Sequence, residues 1–282
     1  MAKMQNSGSI VAGGHAIITG GSSGIGLATA HRLVQAGMNV SLVARDPGKL
    51  AIAQSALTPS STQVQVFSAD VSDRTQAEAA MAGAIAALGT PDLLITCAGI
   101  AHPGYFRELP IDIFEQTMAI NYFGTLYCIR AVLPAMEVRQ RGHLVLVSSG
   151  AGLVGLYGYT PYSPTKFALR GLAEALRGEV KPSGIGVSIV YPPDTDTPQL
   201  EAENRTKPEE TKRITATAET WSADGVAQEI LRGVERRVFA ITPGTEMSVL
   251  NRLHSLLAPG LNWYFDRLVA EVAAQSGPRS PQ

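Results

Sequence analysis

The 282-residue chain has little cysteine, little clustered histidine and no excess of either charge, and each shortage excludes a class of protein. Its two cysteines, Cys97 and Cys128, both lie inside apolar stretches (LLITCAGI and GTLYCIRAV). That pattern excludes a disulfide framework and reads as buried thiols in a reducing compartment. The five histidines (His15, His31, His102, His143, His254) are scattered, and no pair has the spacing of a metal site on one helix or hairpin. With 23 basic against 24 acidic side chains the net charge is −1, which leaves no basic footprint for nucleic acid or an anionic membrane surface. The start, MAKMQNSGSIVAGG, has no apolar core of signal-peptide length, and no window reaches the ~18 uninterrupted apolar residues that span a bilayer. A cytoplasmic protein that binds no nucleic acid and no metal is expected. No internal repeat or low-complexity block appears.

What is present is an alternation. Short β-branched or Leu-rich runs recur at 15–19, 39–45, 63–70, 92–99, 143–149, 186–192 and, more weakly, 238–242. Between them lie Ala- and Leu-rich stretches of helical spacing at 25–37, 74–89, 111–137 and 166–180. Continuous apolar strands suit a parallel sheet covered on both faces. The expected fold is α/β, a single-domain doubly wound Rossmann sandwich on a seven-stranded parallel sheet. Residues 1–12 are expected to be flexible, 13–243 to form the nucleotide-binding catalytic domain, and 276–282 to be disordered. Residues 193–222 are polar and Pro-punctuated and read as one long loop over the substrate. In 244–275, Pro259-Gly260 divides two amphipathic runs, so two helices with a break are expected.

The first strand runs into TGGSSGIG (Thr19 to Gly26) and then a helix. Gly20 can turn tightly, Gly24 admits close approach of a pyrophosphate, and Gly26 lets helix and strand pack, while free N–H groups at the helix start face the phosphates. The second strand ends at Arg45, where an NAD-specific site would present an acid to the ribose. Arg45, with Lys49 a turn on and Ser22 in the cradle, can hold a 2′-phosphate, which favours NADPH. The competing reading is a solvated Arg45 paired with Asp46. Asp70 either accepts from an adenine amino group or caps the helix beginning near Ser72. Tyr162-Ser163-Pro164-Thr165-Lys166 follows 13 residues after Ser149. Tyr and Lys four apart share a helix face, so the ammonium can stabilise phenolate and lower an ordinary pKa of ~10, giving an acid/base for a carbonyl or alcohol. Pro164 is tolerable only in the first helical turn. Ser148 competes with Ser149, and strand alternation favours Ser149, which shares a face with Val145 and Val147.

These pieces, TGGSSGIG, Asp70-Val71, CAG (97–99), Asn121, Ser149 and YSPTK, resemble the short-chain dehydrogenase/reductase family over nearly all of 13–242. The resemblance implies Tyr162 as acid/base, Lys166 tuning it and gripping the nicotinamide ribose, Ser149 bonding the substrate oxygen, and Asn121 holding a water of the proton relay. It also implies cofactor contacts from Gly20, Ser22, Ser23, Gly24, Ile25, Gly26, Asp70, Val71, Ala98, Gly99, Pro192, Thr195 and Thr197. Thr96-Cys97-Ala98-Gly99 departs from the family's Asn-Asn-Ala-Gly, and Pro192-Pro193 from its Pro-Gly. The strings PPDTDTP and ENRTKPEET within 191–211 are similar to those of the 3-ketodihydrosphingosine reductases. That likeness implies a long-chain sphingoid-base ketone as substrate. Such a molecule needs an apolar trough, for which Leu156, Tyr157, Tyr159 and 245–275 are candidates. Its amino head needs an acceptor, for which Asp194, Asp196, Glu201 and Glu203 are candidates, though a solvated loop is the plainer reading for each. Reduction of a steroid or fatty acyl carbonyl, and a non-catalytic NADPH-sensing module, are the alternatives. The likeness further implies a homo-oligomer, dimer or tetramer, paired through the helices at 111–137 and 160–181. Segment 245–275 either covers the core, joins subunits or touches the membrane peripherally.

Overall fold

The computed structural model describes residues 10–57, 62–216 and 218–276. Most of the N-terminal stretch expected to be flexible, and of the tail expected to be disordered, lies outside these described residues. The six stronger apolar runs form β1 (His15–Thr19), β2 (Asn39–Ala44), β3 (Val64–Ser68), β4 (Leu93–Thr96), β5 (Gly142–Val147) and β6 (Ile185–Val190). A separate two-residue pair, β7 (Thr195–Asp196) with β8 (Trp221–Ser222), precedes β9 (Ala240–Ile241), which completes the main sheet. That sheet has seven parallel strands in the order β3-β2-β1-β4-β5-β6-β9. The order reverses direction between β1 and β4, which opens a crevice at the carboxyl ends of those strands, the usual ligand position in such sheets.

Both faces are covered, and for that reason β1, β4 and β5 are buried along their whole length. On β1, Ile17 packs into one layer and Ala16 and Ile18 into the other, as strand alternation requires. The first layer holds α3 (Arg74–Leu88), α4 (Ile111–Met118), α5 (Gly124–Arg139) and α6 (Ser163–Val180); the second holds α1 (Gly24–Gln35), α2 (Pro47–Ala56) and α9 (Ala223–Glu235). Two helices, α7 (Pro198–Thr206) and α8 (Glu209–Thr215), follow β7, and α10 (Gly244–Ser276) ends the described chain.

Four expectations need correction. The stretch 193–222 is not a long loop but β7, α7, α8 and β8 in succession. Its helices escape hydrophobic patterning because their buried positions are largely polar: Glu203, Lys207, Glu210 and Thr211. The segment 245–275 is one helix, with Pro259 inside it. Proline removes one N–H from the ladder, yet Leu250, Leu257, Leu261 and Phe265 continue a single stripe across it and line one cavity, so packing carries the helix through. The helix expected over 111–137 is interrupted by a π-helical turn, Ala119–Phe123, which re-aims Asn121. Finally, Asp70 does not cap α3. Asp73 does, accepting the Gln76 N–H at 3.0 Å, whereas Asp70 accepts the N–H and hydroxyl of Ser72 in the preceding turn.

Pro259→Ala restores a donor to the Ser255 carbonyl and removes the ring clash. It should stabilise α10 by up to about 3 kcal/mol, read as slower amide exchange across 255–264; unchanged exchange would show that the helix does not bear the proline's cost.

Candidate active site

The glycine loop joins β1 to α1 at the crevice. Gly20 (φ 66°) and Gly24 (φ 52°) are left-handed, and a Cβ on Gly26 would collide with the Gly20 carbonyl oxygen. Ser23 occupies the N-cap of α1 without a side-chain capping bond, so the first-turn amides keep their hydrogens for an anion. Gly20, Ser23, Gly24, Ile25 and Gly26 line a cavity of about 210 Å³ that also receives Cys97, Gly99, Ser148, Ser149, Tyr162, Lys166, Pro192, Thr195 and Thr197. A dinucleotide fits this donor set, with its pyrophosphate against the glycine backbone and the free amides of the first turn of α1. Thr195 donates its hydroxyl to the Pro193 carbonyl (2.8 Å), and Thr197 caps α7 while its methyl faces Gly24.

Other sequence candidates stand outside this lining. Arg45 is exposed at the end of β2, 3.8 Å from Asp70 at the end of β3. Its neighbour Asp46 is taken up as the N-cap of α2, accepting the Lys49 N–H at 3.0 Å, so Asp46 is not the partner of Arg45. Lys49 is exposed, Ser22 half-buried in the cradle, and Val71 is core packed under Gly124. The Ala98 N–H donates to the Thr19 hydroxyl oxygen (3.2 Å).

Tyr162 and Lys166 are both buried at the start of α6, where Pro164 falls in the first turn. The Lys166 Nζ donates to the Val147 carbonyl (3.1 Å) and sits 5.3 Å from the centre of the Tyr162 ring. The two serines of β5's end diverge. Ser148 is buried and donates to the Lys166 carbonyl (3.1 Å), while Ser149 accepts the Ala151 N–H (3.1 Å) and lies beside the Tyr162 hydroxyl. Asn121 is fully buried on the π turn. Its amide donates to the Ile100 carbonyl and the Thr165 hydroxyl (3.0 Å each), and its oxygen accepts the Ile100 N–H (2.9 Å). Both amide hydrogens are thus committed to protein, so the side chain braces the β4 loop against α6 and has no donor left for a relay water.

The electrostatics differ from the expected tuning. Burial, and then the Glu203 carboxylate, push the Tyr162 phenol up rather than down, with hydrogen bonding from Ser149 and Gln199 working against them. Burial also lowers Lys166 to about 8, opposed by Cys97 and Glu203. Desolvation of the phenolate sets the direction at Tyr162. Burial raises the Cys97 thiol to about 12, which leaves it un-ionised.

Of the four candidate acids, Asp196 and Glu201 face solvent, while Asp194 and Glu203 line the cavity. Gln199, which no sequence motif singled out, bridges the two functions: it donates to Glu203 (2.8 Å) and bonds Tyr162. The i, i+4 spacing of Gln199 and Glu203 was the available signal, hidden while the segment read as loop. A second, apolar cavity of about 490 Å³ adjoins the first at Ser149, Ala151, Leu156, Pro192, Pro193 and Asp194. Its walls are Val154, Ile214 and the inner stripe of α10.

The short chain dehydrogenase family model matches residues 14–208. The chain belongs to the short-chain dehydrogenases. Among relatives of this oxidoreductase family, the 3-ketodihydrosphingosine reductase of Bos taurus is 43% identical over 252 residues, 88% of this chain and 76% of the relative. The 3-dehydrosphinganine reductase of Danio rerio is 42% identical over the same shares. The 3-ketodihydrosphingosine reductase of Dictyostelium discoideum is 38% identical over 94% of this chain and 85% of its own length. The crystal structure of levodione reductase matches the fold, with a TM-score of 0.77 at 23% identity over 84% of this chain and 99% of that one. Family membership brings an NAD(P) cofactor to the glycine cradle.

Lys166 gives a checkable sign. Its folded pKa of about 8 lies below the ordinary 10.5, so between those pH values the unfolded chain holds the extra proton and stability rises with pH. Urea unfolding at about pH 7.5 and pH 10 should show wild type gaining stability relative to Lys166→Met; a constant difference would contradict the burial-driven shift.

Proposed function

We propose that this short-chain dehydrogenase is an NADPH-dependent 3-ketosphinganine reductase that makes sphinganine, a step of sphingolipid synthesis. The observation that carries the reading is the junction of two cavities at Ser149: one holds Tyr162, Lys166 and the glycine cradle, and the other is a trough of apolar side chains suited to an alkyl chain. The relatives named as reductases of this ketone support it. When bound, the reduced dinucleotide supplies a hydride to the carbonyl carbon. Ser149 accepts from Ala151 and bonds Tyr162, so a carbonyl oxygen placed between them can take the Ser149 hydrogen in place of the phenol. Tyr162 gives its proton to that oxygen as charge accumulates there, and Lys166 lies close enough to offset the charge left on the phenolate.

Tyr162→Phe should abolish reduction of 3-ketosphinganine while NADPH binding, followed by cofactor fluorescence, persists; retained turnover would refute the mechanism. Comparing 3-ketosphinganine with steroid and fatty acyl ketones separates this substrate from the alternatives, and any turnover argues against a sensing module. The preference for NADPH is supported by exposed Arg45 just past β2 and exposed Lys49 in the first turn of α2. Arg45→Asp should lower kcat/KM for NADPH about tenfold and raise that for NADH; equal use of both by the wild type would remove the preference.

The proposal extends to a cytoplasmic enzyme that pairs subunits through α5 and α6, where Phe123 and Phe167 are exposed, and that meets the bilayer through α10. No helix among the described residues is long and apolar enough to cross a membrane. The outer side of α10 exposes Leu253, Leu256 and Trp263, spaced for interfacial contact next to a lipid-sized cavity. A blue shift of tryptophan emission with lipid vesicles, absent in Trp263→Phe, checks the contact, and sedimentation checks the pairing.

A further inference from the structure

We propose that Glu203 is the specificity-determining residue for the amino end of the substrate, pairing with an ammonium on the carbon next to the ketone. The inference rests on the reading of this site as a reductase of a long-chain amino ketone.

Glu203 is 8% exposed, and its carboxylate is held on both sides by neutral donors: the Tyr159 hydroxyl at 2.6 Å and the Gln199 amide at 2.8 Å. Among the described residues no Lys, Arg or His nitrogen lies within 4.0 Å of it. Asp194, the other acid of the cavity, differs: buried Lys207 stands 3.6 Å away and neutralises it. Glu201 spends its charge on Arg205 in solvent (3.1 Å). Lys166 feels Glu203 but directs its Nζ to the Val147 carbonyl. A buried carboxylate is costly unless paired. Its two hydrogen bonds orient Glu203 and satisfy one lone pair on each oxygen, while its charge and the remaining lone pairs stay open to the cavity.

Position selects the ligand. Glu203 lines the cavity of Tyr162 and not the apolar one, and the two cavities meet at Ser149. A ketone whose oxygen meets Ser149 and Tyr162, with its alkyl chain in the apolar cavity, turns its other substituent toward Glu203. In an α-amino ketone the nitrogen is two bonds from the carbonyl carbon, so carbonyl and ammonium reach their partners together. The field works in the same sense. Glu203 helps hold the proton on Tyr162, and an ammonium beside Glu203 cancels that hold, so the amine-bearing ketone eases its own protonation.

The test compares kcat/KM for 3-ketosphinganine and for 1-hydroxyoctadecan-3-one, which has the same chain and no amine, with NADPH. Wild type should favour the amino ketone; Glu203→Gln should lower the ratio of kcat/KM for the amino ketone to that for the analogue by about 10- to 100-fold, and Glu203→Asp should keep part of the preference. An equal loss on both substrates, the mark of a structural role, or no loss on either, overturns the role of Glu203. A second measurement needs no variant: octadecylamine should inhibit wild type at least about tenfold better than octadecanol, and equal inhibition overturns the inference. Wild type inactive on 3-ketosphinganine instead overturns the reaction reading, and this inference with it.

Discussion

A tyrosine hydroxyl and a lysine ammonium are held out of water at the carboxyl edge of a parallel sheet, and the surrounding architecture serves to keep them there. Lys166 is anchored to the Val147 carbonyl at the end of β5, and Ser148 ties the same strand end back to the Lys166 carbonyl. Asn121, displaced by a π turn, stitches the loop after β4 to Thr165 on α6. Three segments distant in sequence therefore converge on one helical turn. Its orientation is set by hydrogen bonds that have no solvent to compete with them.

That burial has an electrostatic consequence. In the protein alone, desolvation and carboxylates keep the Tyr162 proton on, while desolvation, opposed by Glu203, draws the Lys166 pKa down. The phenol is thus protonated in the protein alone, and positive charge brought in by ligands favours proton release. The buried acid on α7 lines the cavity of Tyr162, and the apolar stripe of α10 lines the one that adjoins it at Ser149.

Much of this was legible in the residues. Seven apolar runs forecast the strands of the sheet, and the residues themselves foretold the left-handed glycine turn before α1 and the closeness of Tyr162 and Lys166, because both depend on local geometry. The polar helices α7 and α8 were not legible, since their buried positions carry Glu203, Lys207, Glu210 and Thr211 and defeat any hydrophobic period. Asp70 was weighed as a cap where Asp73 serves, a shift of three residues that local propensity cannot arbitrate. Pro259 looked like a break because a proline's local cost is visible in sequence, whereas the packing that outweighs it is not.

By itself the sequence determined the seven strands of the main sheet, the glycine turn and the four-residue interval between phenol and ammonium, all of which follow from backbone sterics and side-chain periodicity over a few residues. Only the tertiary structure decided that Ser149 rather than Ser148 stands beside the phenol, that Gln199 and Glu203 reach it, and that α10 roofs an apolar chamber. Those facts depend on which distant segments exclude water together, and that exclusion is a property of the packed chain rather than of any stretch of it.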